Sequence, residues 1–124
     1  MRKIILITLV SFFLKEKIIA QNNYRDSLKQ QLAIATNDTS RTYLLVSIGF
    51  TYAFIYEDTA IIYANQALNI SRKTGNKRGE AFSCHLLSLS LTLLGNFTSG
   101  LQYGLNFLSI SRNTRLNNRK YLSV

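Results

Sequence analysis

The chain's one cysteine and one histidine are neighbours, Cys84-His85. A thiol beside an imidazole is the raw material of nucleophilic catalysis or of a metal site. Adjacent residues on a helix point about 100° apart, however, and no adjacent acid is there to orient His85. The pair is therefore read as structural. Six acidic residues in 124 leave little material for paired carboxylates. Gly95, Gly100 and Gly104 lack the spacing of a phosphate loop and its lysine. Asn37-Asp-Thr39, Asn69-Ile-Ser71 and Asn96-Phe-Thr98 fit the glycosylation pattern, but these asparagines have simpler roles as helix caps and turns. No catalytic, cofactor or metal constellation emerges, and the chain is read as a non-enzyme.

What remains must be carried by shape. Hydrophobic residues make up 47% of the chain, enough for a core, and with no proline and six glycines an all-α architecture is expected. A single cysteine excludes an intrachain disulfide. The net charge is +9, with bases grouped as Arg72-Lys73, Lys77-Arg78, Arg112 with Arg115, and Arg119-Lys120. These fall at expected helix ends, where cations suit the dipole. They are read as solubility and capping; the other reading is a surface for nucleic acid, acidic protein or anionic lipid.

Residues 1–20 are set apart. Arg2 and Lys3 precede an apolar stretch from Ile4 to Leu14, then Lys15-Glu16-Lys17, with Ala20-Gln21 as a plausible cleavage point. Eleven helical residues rise only about 16 Å, against roughly 30 Å of hydrocarbon, which favours a secretory signal over an anchor. Phe82 to Leu94 is likewise too short and too interrupted by polar residues to be a span.

From residue 21 the periodicity predicts helices. Leu28, Leu32 and Ala35 mark a short leading helix within 21–38. Thr39 or Ser40 is the expected cap of the next, which runs to about Tyr56. Its stripes Leu44/Ile48/Tyr52/Tyr56 and Val46/Phe50/Phe54 face nearly opposite ways, so it must be packed on two sides. Asp58 should cap a third helix ending at Gly75. A fourth runs from about Lys77 to Gly95-Asn96 and a fifth from Phe97 to Arg115, with a further helix beginning at Asn117.

Two of these helices repeat each other at a distance of 40. Ile70-Ser71-Arg72-Lys73-Thr74 returns as Ile110-Ser111-Arg112-Asn113-Thr114, and Ala60, Ala64 and Leu68 match Gly100, Gly104 and Leu108. Such a period is the mark of stacked supersecondary units. With Gly49, Tyr52, Tyr63-Ala64, Ala67-Leu68 and, in the next unit, Leu94-Gly95-Asn96-Phe97, Tyr103-Gly104 and Leu108, the chain resembles the tetratricopeptide (TPR) repeat. It departs at Ser88, Gly100 and Phe107, and its period is longer than the family's.

The resemblance implies a right-handed α-solenoid with units at 39–75 and 76–115, a leading helix at 21–38 and a truncated helix at 116–124. It also implies a first-helix face for a protein or peptide partner, with Tyr43, Ser47, Phe50 and Phe54 as candidates and Lys77, Arg78, Arg112 and Arg119 as a basic rim. The order of Asp26 to Lys29, Asn37 to Thr39 and Asp58 to Leu68 behind a signal peptide is similar to the amino-terminal region of bacterial two-component sensors. That implies an exported, periplasmic sensory module of a signal-transduction protein, whose membrane span and output module would lie downstream. The alternatives are a cytoplasmic DNA-associated regulator using the basic charge, and a membrane-anchored assembly scaffold. The open apolar face of residues 97–110 also points to self-association.

Overall fold

The computed structural model describes residues 1–122, and they form five helices. These are α1 (Arg2–Ile34), α2 (Asp38–Tyr52), α3 (Glu57–Thr74), α4 (Lys77–Leu93) and α5 (Phe97–Leu122), with no strand among the described residues. Each helix packs on the next, and α2 also touches α4.

Two of the helices end as expected, and several boundaries differ. Gly75 and Gly95 close α3 and α4 with φ of 68° and 92°, conformations that cost glycine nothing. The cap of α2 is Asn37 rather than Thr39 or Ser40: its side-chain oxygen accepts from the Ser40 amide at 2.7 Å. Asn76 and Asn96 do the same for α4 and α5, accepting from the amides of Gly79 and Ser99. Asn69, by contrast, lies inside α3 on its exposed side and serves neither cap nor turn. Asp58 is not the cap of α3; Tyr56 holds that place without a side-chain bond, while Glu57 and Asp58 put negative charge at the positive end of the dipole.

α2 stops at Tyr52, four residues early; Ala53 is buried in the core and the chain turns over Phe54-Ile55-Tyr56. α5 does not stop at Arg115. No glycine or proline interrupts it, so it continues to Leu122, and the separate helix expected from Asn117 is its last turns; positions 123 and 124 lie outside the described residues. The leading helix is likewise the end of α1, which passes position 20 without a break.

The core lies between α2, α3 and α4. Ala60, Ala64 and Leu68 of α3 meet Cys84, Leu86 and Leu87 of α4, while Leu45 and Val46 of α2 meet Ala67. Tyr52, near the end of α2, stacks on Tyr63, near the start of α3, so these helices run antiparallel. Small residues set the spacing. A Cβ on Gly49 would collide with Leu86 and press on Tyr63 Cβ, and one on Gly79 would press on Thr42 Cγ2. α1 joins through Leu28 and through Arg25, which donates to Thr51 Oγ1 and to the Thr51 carbonyl, each at 2.9 Å. The apolar residues Ile4 to Ile19 of α1 are exposed.

Candidate functional site

Cys84 and His85 part company on α4. Cys84 is buried in the core, where loss of solvent raises its thiol pKa and leaves it a poor nucleophile. His85 turns the other way, edge-on to Phe50 at 5.5 Å and stacked on Phe107 at 4.9 Å. Among the described residues, no three His, Cys, Asp or Glu side chains gather where they could hold a metal ion. No helix among them is long and apolar enough to cross a membrane.

The four α2 candidates do not share one open face. Tyr43 is half-buried and edge-on to Phe82 of α4 at 6.2 Å, and Phe50 is half-buried against His85. Ser47 is half-buried. Phe54 lies past the helix end and is 72% exposed. Tyr43 and Phe50 thus lean toward α4, continuing as a track of rings: Tyr43 to Phe82, and Phe50 through His85 to Phe107.

The basic candidates divide as well. Lys77 is held by Glu80 at 3.0 Å, and Arg72 reaches the same carboxylate from α3 at 3.3 Å. Arg78 lies over the Phe82 ring at 5.7 Å. Between α4 and α5 there is an open groove of about 510 Å³, where Arg78, Phe82, Phe107, Arg115 and Arg119 meet. Arg112 is on a neighbouring side of α5, by Leu108 and Leu116. Arg115 was not among the expected rim residues. Its signal was present in the spacing: Phe107, Ser111, Arg115, Arg119 and Leu122 follow one another at helical intervals.

A second concavity of about 490 Å³ continues along the same seam, between Ser88 and Thr92 of α4 and Gly100, Leu101, Gly104 and Leu108 of α5. Phe107 borders both. The seam is tight beneath them: Ser88 Oγ donates to the Gly100 carbonyl at 2.7 Å. No family model, curated protein or solved structure matches the chain.

Proposed function

We propose that the chain is a non-catalytic, tetratricopeptide-like module that binds a protein or peptide, serving as the exported sensory part of a bacterial signal-transduction protein. One observation carries the binding reading: the α4–α5 groove places Phe82 and Phe107 among Arg78, Arg115 and Arg119. Apolar rings beside cations suit a peptide with carboxylates and apolar side chains. The repeat-like reading draws on the 40-residue match of α3 and α5 and on the packing of α4 against both α2 and α3. Export draws on the apolar start of α1, whose side chains are exposed. The exported product should then begin at Gln21 by amino-terminal sequencing.

Labelled peptides of equal length, one of Glu and Leu and one of Lys and Leu, test the groove alongside a DNA duplex. The acidic peptide should bind, and Arg115→Glu with Arg119→Glu should remove that binding. Preferred binding of the duplex, weakening steeply with added salt, would instead establish the DNA-associated alternative.

A further inference from the structure

Removal of residues 1–20 would create a reactive group that the uncut chain does not have. Cleavage after Ala20 makes Gln21 the amino-terminal residue, followed by Asn22, Asn23 and Tyr24. At an amino terminus glutamine carries its nucleophile and its electrophile on one residue. The α-nitrogen can reach the side-chain carbon Cδ and close a five-membered lactam. Asparagine, one methylene shorter, would need a strained four-membered ring.

The structure leaves Gln21 free to react. Positions 21 to 24 are all exposed, and the first side chain to bond another helix is Arg25. α1 passes position 20 without a break, so Gln21 would begin the shortened helix. The first nitrogens of a helix have no intrahelical acceptor, which leaves the new terminal nitrogen untied.

Charge favours the reaction as well. An ammonium on Gln21 would stand at the positive end of the α1 dipole, one turn from the Arg25 guanidinium. Asp26, five residues on, points about 140° away and does not offset them. Both influences favour the neutral amine, and the neutral amine is the form that attacks.

We propose that Gln21, once it leads the mature chain, closes to pyroglutamate, a neutral lactam at the start of the shortened α1. This rests on the removed-leader reading above and adds a modification site to it. The α-nitrogen forms a bond to Cδ of its own side chain, and the Cδ–Nε2 bond breaks. Nε2 leaves as ammonia, taking the proton that the amine gives up. Nothing is oxidised or reduced, and no co-reactant is consumed.

Closure protects the joint between α1 and α2. Aminopeptidases need a free α-amine, and the exposed positions 21 to 24 would lie open to them. Behind these stands Arg25, which donates to Thr51 and lies 4.0 Å from the Tyr52 ring centroid. A closed ring keeps trimming from reaching that anchor.

The whole chain with its leader is expressed in an exporting bacterium, and the exported product is weighed intact by mass spectrometry. The expected product is residues 21–124, lighter by one ammonia and blocked to Edman degradation. Freshly cut molecules that have not yet closed still read Gln21. Pyroglutamyl aminopeptidase should remove the ring and open Asn22-Asn23-Tyr24 to sequencing. Gln21→Asn changes an exposed side chain and keeps the carboxamide, so its helical circular dichroism should match the parent's. That variant should stay open to sequencing and be shortened toward Arg25 by an aminopeptidase that leaves the parent intact.

A product of residues 21–124 that keeps its full mass and still reads Gln21 after prolonged incubation overturns the closure and leaves the leader reading standing. A terminus blocked in Gln21→Asn as in the parent would mark a different modification and overturns the closure equally. A product that begins at any other residue, Met1 included, overturns both.

Discussion

Where two helices cross closely, a single side chain sets how near they come, and this molecule solves the problem twice in opposite ways. In the first pair Gly49 lies on α2, and its missing Cβ leaves room 3.5 Å from the Ala60 carbonyl of α3. In the second pair the glycine has changed sides. Ser88 stands on α4 in place of Gly49, and Gly100 stands on α5 in place of Ala60, with a Cβ position only 3.2 Å from the Ser88 carbonyl. Read singly, Ser88 and Gly100 are two departures from the repeat. Together they compensate, and the Ser88 hydroxyl adds a bond to the Gly100 carbonyl. Gly100→Ala should therefore destabilise the fold by about 1–3 kcal/mol, because the added Cβ would collide with Thr92 Oγ1 and press on backbone atoms of α4 at 3.2 Å. That exceeds the gain of up to about 1 kcal/mol that alanine brings to a helix interior. Gly104→Ala meets only Ser88 atoms, at 3.0 Å and beyond, and should be near neutral. Urea midpoints of the two variants decide the matter.

Elements are joined by less visible means. The α3–α4 seam carries one carboxylate, Glu80, between Arg72 and Lys77. Burial pushes its pKa up, but the hydrogen bonds from Lys77 and Arg72 outweigh burial and hold it below the ordinary 4.5. A carboxyl depressed in the folded state lends stability above its unfolded pKa, and that stability is lost as pH falls through the lower folded value. Thermal midpoints should thus drop as pH falls below about 4.5, and Glu80→Gln should drop less over the same interval.

This seam also shows what the sequence discloses. The presence of α2, α3 and α4 and the glycine stops of α3 and α4 could be read from period and composition, as could the match of α3 with α5. The ends without punctuation could not. Nothing in Ala53-Phe54 announces that α2 stops at Tyr52, since neither residue is a glycine or proline. Nothing around Leu116 stops α5, so assuming a break there cut Arg115 and Arg119 apart and hid their common face with Phe107. Tyr43 and Phe50 were legible as apolar residues, but their lean toward α4 depends on Phe82 and His85, far away in sequence.

At the scale of the whole molecule, the fold begins in the middle of its first helix. α1 has 33 residues, yet Leu28 is its one buried residue, and Arg25 is the first to bond another helix. Before it, Ile4, Ile7, Phe12 and Ile19 stand more than half exposed. Burial, and not helix length, is what contributes to stability, so removing residues 1–20 should leave the cooperative unit intact. A chain of residues 21–124 should melt at the temperature of the full chain and, lacking that exposed apolar surface, should aggregate less than the full chain. Arg25→Ala in either chain removes two hydrogen bonds to Thr51 and the guanidinium 4.0 Å from the Tyr52 ring centroid. That loss should cost about 1–2 kcal/mol, with partial exposure keeping it toward the lower end. If the shortened chain instead melts far below the full one, the apolar start of α1 is part of the fold and the proposal that it is a removable leader fails. If it melts with the full chain and Arg25→Ala lowers both equally, the structural boundary lies between positions 20 and 25, beside the cleavage point read from Ala20-Gln21.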